Sequence, residues 1–208
     1  MDYIKDPMGI EKKSFEIIES EMGPHNFSKR ELSIVKRVIH TTADFEYMKL
    51  LYIREGAIDR ALELLKGGTT IYTDTNMALA GINKSALKAL NCKVECFVSR
   101  EDVAKEAKEK GITRSMAAVE KAAEIGNEFF VFGNAPTALH KLKELTLQGK
   151  AKPKFIIGAP IGFVEAAESK EEIEKLDLPL ITIRGRKGGS SVAAAIVNAL
   201  MYMLIERK

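Results

Sequence analysis

Short apolar runs alternate along most of the chain with longer stretches whose apolar residues recur at helical spacing. Residues 129–132, 155–157 and 180–183 are short runs rich in Val, Ile, Phe or Leu and predict strands, as does 69–73. The alternation over 92–98 predicts another strand, with Cys92, Val94, Cys96 and Val98 on one face. Between these runs, Ile58, Ala61, Leu62 and Leu65 mark a helix closed by Gly67-Gly68, and 84–90 reads as helix. Ser99 is placed to cap a helix that reaches Lys110 and ends at Gly111, and Thr113 to cap the next, to Ile125. Pro136 suits the first position of a further helix, and 190–206 reads as the closing one.

The first quarter of the chain has a different texture. Phe15, Ile18 and Met22 give 10–22 helical spacing. Ser28 with Glu31 three residues later forms a capping box, after which Leu32, Val35 and Ile39 trace one helix face. That helix runs out at His40-Thr41-Thr42-Ala43-Asp44, and 45–53 fits strand and helix alike. Strands separated by helices predict the α/β class: a single domain over 1–208, built on a mainly parallel sheet of about five strands with helices on both faces. No internal repeat, low-complexity tract or linker divides it.

In such a sheet ligands gather at the carboxyl ends of the strands. Three loops rich in small residues fall there: Gly133-Asn134-Ala135-Pro136-Thr137, Gly158-Ala159-Pro160-Ile161-Gly162 and Gly185-Arg186-Lys187-Gly188-Gly189-Ser190-Ser191. Small residues before a helix let a ligand approach bare backbone N–H groups, where the helix dipole favours negative charge. The pattern predicts a pocket with one wall of backbone amides and an anionic ligand. Neither G-x-x-x-x-G-K-[ST] nor a G-x-G-x-x-G after the first strand is present, which weighs against a nucleotide.

Composition narrows the choice of partner. Hydrophobic residues make up 46% and charged residues 29% of 208, which suits a folded globular chain. A net charge of +3, with Lys and Arg spread along the helices, gives no footprint for nucleic acid. The sequence opening Met1-Asp2-Tyr3-Ile4 has no apolar signal core, and the apolar stretch 192–205 is too short to span a bilayer and is interrupted by Asn198. Cys92 and Cys96, without matching histidines, read as structural thiols in a reducing cytoplasm rather than a metal site or disulfide. A cytoplasmic protein without a membrane partner is the expectation.

The three histidines limit the acid–base candidates. His25 lies in a Gly-Pro turn and is expected to be exposed, and His140, inside a helix, has a packing or surface role. His40 ends a helix, where imidazolium is favoured; Asp44 would favour it further and Arg37 oppose it. A helix cap and a general acid are both open for it. Arg114 and Ser115 begin a helix, where Arg114 is either a bidentate carboxylate anchor or a surface residue. Asp74, Thr75 and Asn76 either line the pocket or close the turn after the first strand of the alternating part.

With these residues in view the chain resembles the precorrin-8X methylmutases of cobalamin biosynthesis, including the cobalt-precorrin-8 methylmutases. The matching stretches are Val38-Ile39-His40-Thr41-Thr42-Ala43-Asp44-Phe45, Asp74-Thr75-Asn76-Met77, Thr113-Arg114-Ser115, Gly133 to Leu139, Gly158 to Val164 and Arg184 to Ser190. They occur in order over nearly the whole chain. The resemblance implies an isomerase that moves a methyl group from C-11 to C-12 of a corrinoid ring to give a cobyrinic acid-type corrin. That reaction needs no cofactor, and any metal would arrive inside the substrate.

It carries the family's catalytic histidine onto His40, as proton donor or hydrogen-bond donor beside the migrating methyl. It also implies substrate contacts at Thr41, Thr42, Asp74, Met77, Arg114, Ser115, Asn134, Ala135, Gly188, Gly189 and Ser190. Arg114, Asn134 and the Gly188-Gly189-Ser190 turn would meet the substrate's carboxylates, and Met77, Phe163 and Val164 its ring face. A homodimer with sites near the subunit interface, and transient contacts with neighbouring pathway enzymes, are further implications. A non-catalytic corrinoid or tetrapyrrole carrier is the competing reading. The motifs serve both branches of the family, while the Lys content and short length lean toward a cobalt-containing ring.

Overall fold

A computed structural model describes residues 6–205. Its centre is a sheet of strands β1 (Leu51–Ile53), β2 (Thr70–Thr73), β3 (Lys93–Glu95), β4 (Phe129–Phe132), β5 (Phe155–Gly158) and β6 (Leu180–Ile183). Their order is β1-β6-β5-β4-β2-β3; all neighbours are parallel except the edge strand β1, which runs antiparallel to β6. The mainly parallel α/β sheet therefore stands, with one strand more than expected. The extra strand comes from the ambiguous 45–53 stretch, which divides into the short helix α3 (Tyr47–Leu50) and β1. β1 is three half-buried residues, and its Leu51-Tyr52-Ile53 run follows Leu50 of α3 without a break, so no change in the pattern separates helix from strand.

The strands' alternating side chains feed two cores. On one face Ile71, Phe129, Val131, Phe155, Ile157, Ile181 and Ile183 meet helices α2 (Lys29–Thr42), α4 (Ala57–Lys66), α6 (Lys84–Ala89) and α11 (Ser190–Tyr202). On the other, Tyr72, Phe130, Phe132, Ile156 and Leu180 meet α7 (Glu101–Lys110), α8 (Arg114–Glu124), α9 (Pro136–Leu147) and α10 (Ala166–Glu174). Helix α1 (Pro7–Glu21) is capped by Asp6 and lies on α2, with Ile18 and Met22 against Val35 and Ile39. Helix α5 (Asn76–Gly81), which periodicity did not announce, follows β2 directly.

Two expectations shift locally. Ser99 does not cap α7: its hydroxyl accepts a hydrogen bond from Asn76 Nδ2 at 2.8 Å. The cap position falls on Arg100, and Glu101 and Asp102 complement the helix dipole instead. Strand β3 is shorter than 92–98, because the chain turns after Glu95 and sends Phe97 into the core opposite to that of Cys92. Among the described residues no helix is long and apolar enough to cross a membrane. The closing helix ends at Tyr202, and Glu206 lies outside the described residues.

Candidate functional site

The strand order changes direction at β2: the chain goes outward to β3, then returns across β2 to β4. The loops after β2 and β4 consequently flank the crevice where open α/β sheets bind ligands. Here the chain fills that crevice itself. Asp74 is 1% exposed, and its Oδ1 accepts from Gly133 N–H at 2.8 Å, its Oδ2 from Asn134 and Ala135 N–H at 2.9 and 2.7 Å. Burial pushes the Asp74 carboxyl up, and the amides act against that shift. Gly133 also lies against the start of α11, where a Cβ would sit 2.6 Å from Ser190 Cα. The Oγ atoms of Ser190 and Thr75 are 2.8 Å apart.

These contacts occupy the amides expected to form a free wall, and they set the Asp74 carboxylate under the loop after β4. The anion that meets the Gly133–Ala135 amides is the protein's own carboxylate. In the other two loops, Gly189 N–H donates to Ala159 C=O at 2.8 Å and Gly162 N–H to Arg186 C=O at 3.2 Å. Gly188 is required where the loops touch, since a Cβ there would lie 2.3 Å from Ala159 O. The small residues thus serve loop-to-loop packing. Ala135, Gly188 and Ser190 are buried beneath the rim, whereas Asn134 is exposed on it.

Helix α2 brings His40 to the same end of the sheet. Its capping box forms as expected, through Ser28 and Glu31, and Ala43 ends it in the left-handed conformation at φ 52°. Thr41 and Thr42 turn their hydroxyls back onto Arg37 and Val38 C=O, each at 2.9 Å. The chain then throws Asp44 toward the Gly185–Ser191 loop, where it pairs with Lys187. Glu46 lies 2.6 Å from the same ammonium, and Tyr47 Oη donates to Gly188 C=O at 3.4 Å. Lys187 holds the Asp44 carboxyl below its ordinary value. Asp44 is therefore engaged with Lys187, while Arg37 pairs with Glu11 and lies over the Phe15 ring.

His40 itself is exposed. Its Nδ1 lies 2.8 Å from Ser14 Oγ on α1, and its ring is 5.2 Å from that of Phe15. It lines a cavity of about 510 Å³ together with Ile10, Ser14, Ile17, Ile39 and Phe45. An apolar wall with an imidazole and a hydroxyl can hold a flat apolar ligand and deliver a proton to it.

The remaining candidates spread along the rim. Arg114 and Ser115 open α8, which Thr113 caps through Met116 N–H; Thr113 Oγ1 is 3.3 Å from Thr137 Oγ1, next to the Gly133 loop. Met77, Phe163 and Val164 are 71%, 85% and 79% exposed, so three large apolar side chains stand in solvent at this end. The Arg186 guanidinium lies 5.6 Å from the Phe163 ring centre. His25, expected to be exposed, is half-buried beside Phe27, and its Nδ1 has no partner. His140 Nε2 is 3.2 Å from Glu165 Oε2, a surface role. Cys92 and Cys96 are free, and burial pushes both thiols up.

Sequence reasoning missed Ser14 and Lys170 as parts of this end of the molecule, and placed Arg186 there only as one residue of its loop. Ser14 gives no signal, being one polar residue in an amphipathic helix. Lys170 does give one: it shares the buried stripe of α10 with Ala166, Ser169 and Ile173, at helical spacing.

A family model described as precorrin-8X methylmutase matches residues 9–203. A cobalt-precorrin-8 methylmutase of Salmonella typhimurium is 47% identical over 215 residues, covering 99% of this chain and 100% of that one. The cobalt-precorrin-8 methylmutase of Leptospira interrogans is 44% identical over 207 residues, covering 95% and 94%. Among solved structures, the precorrin-8x methyl mutase from Thermus thermophilus superposes with a TM-score of 0.88 at 37% identity, covering 94% of this chain and 95% of that one.

Proposed function

The chain belongs to the precorrin-8X methylmutase family, and from that premise we propose that it moves a methyl group from C-11 to C-12 of cobalt-precorrin-8. It is an isomerase of the methylmutase type. The observation that carries the reading is the family match over residues 9–203, with His40 presented beside an apolar groove at the loop end of the sheet. The names of the relatives at 44 and 47% identity favour the cobalt-containing substrate.

The shift is an internal rearrangement, so the protein has no group to add or remove. Its task is to hold the macrocycle and draw electron density away from the carbon framework as the methyl group migrates. In our account His40 donates a proton or hydrogen bond to the ring beside the migrating methyl. Ser14 fixes the imidazole through Nδ1, which directs Nε2 to the substrate. General acid catalysis of this kind contributes about 10²–10⁴-fold. Orientation of the rigid ring supplies the remainder.

The substrate's apolar face and acidic fringe fit the two kinds of surface at the rim. Met77, Phe163 and Val164 offer exposed apolar contacts, and Arg114, Ser115, Asn134 and Thr41 exposed or half-buried polar ones. Thr42, Gly188, Gly189 and Ser190 are buried or half-buried, and we assign them to the floor of the site. Asp74 and Ala135 act from below, by fixing the loop that displays Asn134. The working unit we propose is a single-domain chain paired as a homodimer in the cytoplasm, in transient contact with neighbouring pathway enzymes. Sedimentation showing only monomer would remove the dimer.

The test is anaerobic incubation of the purified protein with cobalt-precorrin-8 and, separately, metal-free precorrin-8X, followed by absorption spectroscopy. Conversion to the corrin spectrum, faster with the cobalt ring, is expected. Tight binding without conversion would point to a carrier, and the absence of any spectral response would overturn the assignment.

A further inference from the structure

Among the described residues Lys170 is the one buried lysine, at 0% exposed. It projects from the inner face of α10, and its Nζ donates to Pro160 C=O at 2.8 Å and to Lys187 C=O at 2.8 Å. One acceptor belongs to the loop after β5 and the other to the loop after β6. No carboxylate is among its bonded partners in the described residues. A buried ammonium without a counter-ion is costly, and a methionine of similar length would fill the space without that cost. What methionine cannot do is draw two carbonyl groups from different loops onto one point. Burial pulls the Lys170 ammonium down to about 8, in keeping with its lack of a charged partner.

We propose that Lys170 is a positioning residue for the methyl-shift reaction, tying the loops after β5 and β6 together so that their two arms meet the substrate in a fixed relation. This rests on the functional reading above for the identity of the substrate. The first arm is Ile161-Gly162-Phe163-Val164, apolar and solvent-facing; the second carries Arg186, cationic and exposed. Among the described residues two other backbone hydrogen bonds join these loops, Gly189 to Ala159 and Gly162 to Arg186. Lys170 adds two more from underneath, to the residues next to Ala159 and Arg186. The tie extends further, because the residue whose carbonyl it holds, Lys187, grips Asp44 at the end of the helix that presents His40. Lys170 thus connects the ring-facing arm, the carboxylate-facing arm and the turn after His40 without touching the ligand.

The charged groups on the surrounding elements are engaged elsewhere. Lys187 is turned to Asp44 and Glu46, Arg184 to Glu174, His140 to Glu165, and Lys143 to Glu172. None is a partner of the Lys170 ammonium.

The experiment compares the wild type with Lys170→Met and Lys170→Arg, using steady-state kinetics on cobalt-precorrin-8 and amide hydrogen exchange without ligand. In Lys170→Met the amides of Gly162 and Gly189 are expected to exchange about 10-fold faster. KM should rise about 10-fold with kcat changed less than about 3-fold, the scale of a lost charge-assisted hydrogen bond. Lys170→Arg should recover part of both effects. Exchange and KM within about two-fold of wild type in Lys170→Met would overturn the proposal. If wild-type protein fails to convert the substrate, the functional reading falls, and the exchange data decide the loop tie alone. Should Lys170→Met not fold, the ¹⁵Nζ signal of Lys170 in ligand-free wild-type protein is recorded instead. Slow exchange of its ammonium protons with water supports the tie, and exchange as fast as that of an exposed lysine overturns it.

Discussion

The hydroxyl of Ser14 lies 2.8 Å from Nδ1 of His40, joining a helix that precedes the sheet to the last turn of the helix that follows it in the chain. Ile18 and Met22, packed on Val35 and Ile39, hold the two helices in that register. The pair sets which imidazole nitrogen is left open. Nδ1 is committed, and Nε2 has no bond to any described residue.

Ser14→Ala should therefore lower kcat about 5- to 10-fold, the equivalent of one ordinary hydrogen bond of about 1 kcal/mol. KM and the melting temperature should change little, because Ser14 is only half-buried. Steady-state kinetics check this, and an unchanged kcat would mean that the imidazole is oriented by the substrate instead.

Asp74→Asn tests the internal clamp. One carboxylate oxygen becomes an NH₂ group and faces a backbone N–H that already points at it. At least one buried donor then loses its acceptor, at about 1–3 kcal/mol for each. We expect a loss of about 2–4 kcal/mol in urea unfolding, together with weaker substrate binding as the Asn134 loop loosens. Wild-type stability in the variant would show that the loop's own packing suffices.

Lys170 also leaves a mark on the pH dependence of stability. Its folded pKa, near 8, lies below the ordinary 10.5, so between those values the unfolded chain binds the extra proton. Stability in that window rises with pH, by up to about 1.4 kcal/mol per unit. Below about pH 8 both states are protonated and the contribution is flat. Measured as wild type minus Lys170→Met by denaturant unfolding, the difference should climb from pH 8 toward 10.5. A difference independent of pH would show that the ammonium is not desolvated.

Arg114 opens α8, exposed and without an ion pair in the described residues. Arg114→Ala should weaken substrate binding about 10-fold while the single-turnover rate of the bound complex stays within about 2-fold, as loss of a charge-assisted contact to a carboxylate predicts. Equal affinity in the two proteins would return Arg114 to the ordinary surface.

Much of the fold could be read directly from residue patterns, where one physical signal dominated. Strands β4, β5 and β6 are buried on both faces and so appear as apolar runs, broken only by Thr182, and the Ser28–Glu31 box marks the start of α2. What escaped depends on partners distant in sequence. β1 is three half-buried residues held by an antiparallel neighbour more than a hundred positions away, and Ser99 loses its capping role to Asn76.

The candidate site divides in the same way. His40 and the loops were visible as motifs, and the Asp44–Lys187 pair links the turn after His40 to the loop after β6. The internal destination of the loop amides was not visible, because Asp74 and Gly133 are 59 residues apart and only the strand order brings them together. Lys170 reads locally as one charge in a solvated helix, and its burial shows only when the stripe from Ala166 to Ile173 is followed.

The central claim is that His40 performs the chemical step and does not merely help to hold the ring. It is tested most directly by mixing an excess of His40→Ala enzyme with cobalt-precorrin-8 under anaerobic conditions and following the absorption spectrum through one turnover. The account predicts that binding persists within a few-fold of wild type while conversion slows by about 10²–10⁴-fold. Conversion at near wild-type rate in that complex would contradict it, and would move the chemistry from the Ser14–His40 pair to the loops across the rim.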